Sequence, residues 1–265
     1  MIKLENIGED EWCFDDSSID FSSHEKLDSA IDYWHGEDFD QAVSILRSLI
    51  SENPYHIDVY HHLSLIYQSI GADLEAYAFC REAVRIGLSS IPKKFSWKTS
   101  KLDWGHLGNR PFLRAYHNLG LWHEERGEVA EAIQVYKAML SVCPNDNIGA
   151  RYLLPRLCFL TGDLLSIVRL INDYPDDYSP DFLYNKALAF VLLGEIDKAN
   201  TAFNKAKSEF PLIAKEILKK RNTKPNSDFE GYITIGSPEQ AHEYWEHYGQ
   251  FWKNSPEAMR LAASN

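Results

Sequence analysis

The sequence predicts an all-α protein, an α-solenoid of stacked helical hairpins. Three observations predict it. Bulky residues recur at helical spacing, as at Tyr116, Leu119, His123 and Tyr136, which builds one apolar stripe per helix. Small residues, Gly120 and Ala132, stand where two helices must approach closely. Glycine and proline punctuate the pattern, Gly127 closing one helix and Pro144 the next.

The set repeats. Stepping back 56 residues from this clearest copy returns Tyr60, Leu63, Ser64, Tyr67, Gly71, Ala76, Cys80 and Ala83. A further 34 back, the second half returns as Ala42, Leu46, Leu49 and Pro54. Stepping forward 67 gives Leu183, Ala187, Phe190, Gly194, Ala199, Phe203, Ala206 and Pro211, and a weaker copy lies between, at Ala150, Leu153, Leu154, Leu157, Gly162 and Leu170. On these residues the chain resembles the tetratricopeptide repeat (TPR) family, whose unit is a helix–turn–helix of 34 residues. The resemblance implies five units, at 23–56, 57–90, 113–146, 147–179 and 180–213, forming an array over 23–213. An extra residue is expected near the turn of the first unit (His35 to Phe39) and of the fourth (Leu160 to Asp163). The fourth unit is expected to end early, at Pro175.

Three segments fall outside the period. Residues 1–22 carry seven acidic side chains and one lysine around Trp12, Cys13 and Phe14. Residues 91–112 form an insertion with five basic residues against one acidic. Opposite charge makes a contact between the two plausible, with Trp12 and Phe14 as anchors and Lys93, Lys94, Lys98, Lys101 or Arg110 as counter-surface. The alternative is that Trp12 and Phe14 close the open end of the first unit. Residues 214–265 are read as a helical C-terminal cap: a helix at 215–221, a polar break at Asn222–Gly231, and a helix started by Ser237-Pro238-Glu239-Gln240. That helix bears the stripe Tyr244, Tyr248, Phe251 and Trp252, and Ser255-Pro256-Glu257 starts a last one. A terminal repeat needs such a cover over its apolar end.

Composition narrows the function. The chain has 265 residues, 45% apolar, with 27 Lys+Arg against 39 Asp+Glu and a formal charge of −12, so the expectation is a core-forming, cytoplasmic protein that binds neither nucleic acid nor membrane. No run approaches the ~20 apolar residues of a membrane span, and the first residues lack the order of a secretory signal. The cysteines (Cys13, Cys80, Cys143, Cys158) form no paired motif and are read as inert thiols. His61 and His62 are adjacent and diverge around a helix, so no metal is expected. Phosphate-binding glycine loops and nucleophile elbows are lacking, so no cofactor and no enzymatic activity are expected.

A narrower resemblance is carried by Trp104…Asn109-Arg110-Pro111-Phe112-Leu113-Arg114 and by Pro144-Asn145-Asp146-Asn147-x-Gly149-x-Arg151-Tyr152. These strings are similar to those of a little-characterised group of bacterial TPR proteins, and the similarity implies no reaction. In the TPR family, the first helix of each unit lines a concave groove. Its fifth position holds His61, His117, Arg151 and Tyr184; its sixth holds His62, Asn118, Tyr152 and Asn185; Arg114 stands at the second position of the third unit. The resemblance therefore implies a scaffold or adaptor binding a peptide or partner helix through Arg110, Arg114, His117, Asn118, Arg151, Tyr152, Tyr184 and His61. Arginine's planar fork of donors suits carboxylates and backbone carbonyls. The alternatives are that these arginines brace the insertion by pairing with Asp103, Glu124 or Asp146, or that a small-molecule pocket of a regulatory or enzyme-associated domain lies near Arg110/Arg151. A dicarboxylate clamp of the co-chaperone kind is not expected, because His61 and Leu65 stand where it needs Lys and Asn.

Overall fold

The computed structural model describes residues 2–17, 19–225 and 233–264, and the chain divides into two compact units, Met1–Ala150 and Arg151–Asn265. In the first, a hairpin of β1 (Lys3–Asn6) and β2 (Trp12–Asp15) precedes three helical hairpins. These are α1 (Phe21–His35) with α2 (Phe39–Glu52), α3 (Ile57–Ser69) with α4 (Asp73–Ser89), and α5 (Arg110–Glu125) with α6 (Val129–Val142). In the second unit, α7 (Ala150–Thr161) pairs with α8 (Leu164–Asp173), and α9 (Pro180–Leu192) with α10 (Ile196–Glu209). Then follow α11 (Pro211–Ile217), α12 (Pro238–Lys253) and α13 (Pro256–Ser264). The fold is all-α of the solenoid kind, and α8, of 10 residues, is short, as Pro175 implies.

One turn joins every pair of helices. A backbone N–H reaches back five residues to the last turn of the first helix: Asp38 to Tyr33, Ala72 to Tyr67, Glu128 to His123, Asp163 to Cys158 and Glu195 to Phe190, all at 2.8–2.9 Å. This closure needs a left-handed residue just before the donor. Gly71, Gly127, Gly162 and Gly194 supply it, with φ between 71° and 78°. In the first pair Glu37 does, at φ 63°. The first repeat therefore carries no extra residue: Gly36 merely precedes the left-handed position. In the fourth, Gly162 takes the left-handed position of the same turn, which closes without an extra residue. Asp20, Asp38, Asp163, Ser179 and Ser237 cap their helices by accepting the backbone N–H three residues on.

The acidic segment docks on the insertion and does not close the open end of the first repeat. Leu4, Trp12 and Phe14 enter a core shared with Ile57, Val84, Phe95, Leu102, Phe112 and Leu113. Leu4, Trp12 and Phe14 alternate with exposed or half-buried neighbours, the period-two pattern of a half-buried strand. Trp12 N donates to Lys101 O at 2.9 Å and Lys101 N to Asp10 O at 2.7 Å. The Trp12 ring meets Phe95 edge-on and carries the Lys94 ammonium 5.0 Å from its centroid. Burial and backbone bonding hold this contact, and His106 Nε2 approaches the Glu11 carboxylate at 3.6 Å.

Asn109 ties the pieces together. It is fully buried; its Oδ1 accepts from Phe14 N at 3.1 Å, while Nδ2 donates to Trp12 O at 2.9 Å and to Asp103 O at 3.0 Å. Beside it Gly108 must lack a side chain, since a Cβ there would stand 2.2 Å from the Phe14 carbonyl oxygen. The insertion ends at this residue, because α5 begins at Arg110 with Pro111 in its first turn. The helix expected at 215–221 begins earlier, at Pro211, a residue suited to a first turn. Of the polar break at Asn222–Gly231, residues 226–231 lie outside the described residues. Among the described residues no helix is long and apolar enough to cross a membrane, and all four cysteines are free thiols.

Two substitutions test this account. Glu37→Gly should stabilise the protein by about 1 kcal/mol, because it removes the penalty of a side chain in left-handed backbone; an unchanged or lower urea midpoint would show the turn to be different. Asn109→Ala should cost about 3 kcal/mol, since it strands the buried Phe14 N–H and two carbonyls. A cost under about 1 kcal/mol would mean that apolar contact alone holds the hairpin.

Candidate functional site

In the first unit the expected residues gather between α3 and α5, which pack side by side. A polar ladder crosses the pair. At one end Arg114 Nη2 donates to both oxygens of Asp58 at 2.8 Å. At the other, Asn118 Nδ2 donates to Ser64 Oγ at 3.2 Å. His61 and His117 stand between in sequence, one on each helix. The His62 ring nitrogen Nδ1 bonds the Asp58 carbonyl oxygen at 2.8 Å and faces its carboxylate at 3.5 Å.

Electrostatics follow from burial. Burial alone would push the Asp58 carboxyl up, but His62 and Arg114 together hold it below the ordinary range. For His61 the balance goes the other way: burial, aided by His62 and only partly opposed by Asp58, pushes it down to about 3, and burial pushes His117 down to about 4. His56 is lowered for the same reason. Among the described residues, His61 Nδ1, His117 Nε2 and both His56 nitrogens have no hydrogen-bond partner. The His61 and His117 imidazoles are therefore neutral at pH 7 and well into acid.

The predicted residues thus divide. His61 and Asn118 are buried, so they do not line an open surface. Arg114 keeps 36% of its side chain exposed, and His117 is half-buried. Arg110 braces the insertion: its Nε donates to Trp104 O at 3.0 Å and its guanidinium lies 5.2 Å from the Trp104 ring centroid. Sequence reasoning missed Asp58 and Ser64, although each aligns with a residue of the next repeat that it did select or inspect, Arg114 and Gly120.

In the second unit, Arg151 Nε donates to Asp177 Oδ2 at 2.8 Å, its Nη2 to Tyr152 Oη at 2.8 Å, and Tyr152 Oη to Asp177 Oδ2 at 2.7 Å. The guanidinium also lies over the rings of Tyr152 (4.4 Å) and Tyr174 (5.2 Å). Burial opposes ionisation of Asp177, yet Arg151 and Tyr152 hold its carboxyl below the ordinary range, while burial and Asp177 push the Tyr152 hydroxyl up to about 12.

Tyr184 corrects the expectation of an open groove here. It is fully buried, its hydroxyl donating to Phe210 O at 2.8 Å. The cause is α12, which lies on α7 and α9, the first helices of the fourth and fifth repeats. Tyr244 Oη donates to Asn185 Oδ1 at 3.1 Å and accepts from Trp252 Nε1 at 2.9 Å. Tyr248 Oη donates to Tyr152 O at 3.4 Å, and Phe251 stacks on Phe159. The aromatic stripe of the tail therefore fills the positions that the repeat pattern assigns to a groove. Among the described residues, no group of three His, Cys, Asp or Glu is placed to hold a metal ion. Burial pushes the Cys80 thiol up to about 12, which keeps it protonated.

Comparisons with known proteins agree with this architecture. Residues 38–260 match a family model, Tcf25, described as transcriptional repressor TCF25. A curated relative, the probable transcription factor claV of Ampulloclitocybe clavipes, is 29% identical over 118 residues, covering 43% of this chain and 15% of its own length. The solved structure of YrrB, a TPR protein with an unusual peptide-binding site, superposes with a TM-score of 0.52 at 14% identity, over 72% of this chain and 87% of that one. That of Naa15/Naa10 bound to HypK-THB gives 0.51 at 19% identity, over 91% of this chain and 33% of that one. The fold is TPR-like.

The histidines make the first unit acid-labile. In the unfolded chain they take up protons near pH 6.5; in the folded protein His61 and His117 do so only near 3 and 4. Between those limits the unfolded state binds more protons, so stability falls as pH drops from about 6.5, by up to about 1.4 kcal/mol per pH unit for each histidine. Below about 4 the loss of the Asp58 carboxylate adds to it. Melting temperature against pH should show this, with His61→Leu flattening the slope between pH 6.5 and 4; an equal slope in the variant would place the proton uptake elsewhere.

Proposed function

The chain belongs to the Tcf25 family, and from that premise we propose that it is a protein-interaction scaffold or adaptor working in a transcription-related setting. The observation that carries the reading is the α3–α5 ladder, where Arg114 and His117 keep part of their side chains in solvent on the face that the repeat pattern turns toward partners. Arg114 is held by Asp58 in one orientation, so little side-chain entropy remains to be lost when a carboxylate or backbone carbonyl arrives. The second unit offers an internal example: an aromatic, amphipathic helix of the chain itself lies along its first helices. A partner helix or extended peptide on α3 and α5 would use the same kind of surface.

The names of the family and of the curated relative point toward transcription, while the chain's own charge of −12 disfavours a direct hold on phosphate backbones. We therefore place it among proteins that act through other proteins and not through DNA or membrane. No catalytic step and no cofactor belong to the proposal. A cytoplasmic location does, supported by the four free thiols; a compartment that keeps thiols reduced suits them.

The test is to capture partners on the chain from its native source, cross-link them, and measure affinity for the one recovered. Cross-links should map to α3 and α5. Arg114→Ala should weaken binding by about 2 kcal/mol, roughly thirtyfold, with helical circular dichroism retained, and a DNA duplex should not compete. Unchanged affinity in both Arg114→Ala and His117→Ala, with cross-links elsewhere, would overturn the assignment.

A further inference from the structure

The aromatic helix α12 does not seal the second unit completely. Against α7 and the start of α9 it leaves a cavity of about 440 Å³, a volume within the range of small-ligand pockets. Its walls combine two kinds of group. Asp181, Glu243 and Glu246 bring carboxylates; Tyr152, Tyr244 and Tyr248 bring aromatic rings. We propose that this cavity is a binding site for the cationic head and aliphatic stem of a basic side chain, lysine or arginine, presented by a protein partner.

Charge complementarity selects the occupant. Arg156 and His247 are the positive groups among the lining residues. Against them stand three carboxylates, those of Asp181, Glu243 and Glu246. Glu246 also approaches the buried His242 Nε2, one turn back on α12, at 3.4 Å. Asp181 is the sharpest feature. It stands half-buried in the first turn of α9, beside the Tyr248 hydroxyl. Burial pushes its carboxyl up to about 6, His247 opposing the rise and Glu243 adding to it. The ionised form is therefore under-compensated, which is what an incoming cation would relieve. The tyrosine rings suit the rest of such a side chain, since methylenes pack on aromatic faces and a cation is attracted to them.

Only the source of the cation rests on the scaffold reading above; the cavity can be tested without a partner. The chain is titrated, with NMR detection, with N-acetyl-lysine methylamide, its arginine counterpart, the neutral N-acetyl-norleucine methylamide, and spermidine. The lysine or arginine probe should give saturable shifts confined to α7, α9 and α12, and norleucine none. Affinity should rise between pH 5 and 7 as Asp181 ionises. Asp181→Asn should weaken binding at least tenfold and lessen that pH dependence. Glu243→Lys, at an exposed position on α12, should abolish binding without changing the melting temperature, so the proposal stays testable if the Asp181 variant misfolds. Equal binding of norleucine, or affinity unchanged in Glu243→Lys, overturns it; spermidine binding in preference to both amino-acid probes overturns the protein source. If a captured partner binds the cavity variants as tightly as the parent chain, the cavity inference fails and the scaffold reading stands. If the probes bind but no partner is recovered, the scaffold reading fails alone.

Discussion

The first unit depends on one carboxamide. A repeat array gains stability from the burial of each hairpin against the next, and 91–109 interrupts that succession between α4 and α5. Something must cover the apolar surfaces that the interruption exposes. The insertion does so with Phe95 and Leu102, and the N-terminal strands do so with Leu4, Trp12 and Phe14. Apolar contact has no direction, so it cannot set the register of two such irregular segments. Asn109 sets it, because its one acceptor and two donors match a single placement of the Trp12–Phe14 strand and of Asp103. The same residue is the last before α5, so the position of that helix, and of Arg114 on it, is fixed with the rest.

Much of this was legible in the sequence for a physical reason. Helical spacing, close-approach residues and helix-ending glycine or proline are local signals, and each repeat restates them. Small position eight is confirmed by Gly120, whose missing Cβ makes room for the Tyr136 ring. The Ser237 cap and the buried stripe of α12 were legible in the same way. The strands were not. Four residues each, they carry too short an alternation to compete with the reading of an acidic tail, and their pairing with Lys101 is a long-range fact. Glu37 misled because a left-handed position normally declares itself through glycine, and Gly36 lies next to it.

The candidate site was legible as a row and not as a surface. Repeat register named residues along the first helices, yet exposure depends on what else packs there. Tyr184 lost its solvent to α12, His61 and Asn118 to the α3–α5 packing, and Arg110 turned to Trp104. The strings around Trp104 and Tyr152 suggested a group of bacterial TPR proteins; that group is not confirmed, and the family that matches over these residues is Tcf25. What remains accessible is the edge of the ladder in one unit and a lined cavity in the other, each described by its own chemistry.

The bond from Asn109 to Trp12 spans 97 positions along the chain. A ribosome adding ~5–20 residues each second needs roughly 5–20 s to cover that distance. During that interval the Trp12–Phe14 strand is already made while the groove that will hold it does not yet exist. The first two helical hairpins can close locally in the meantime. Within its unit this strand is thus synthesised before those hairpins and seated after them.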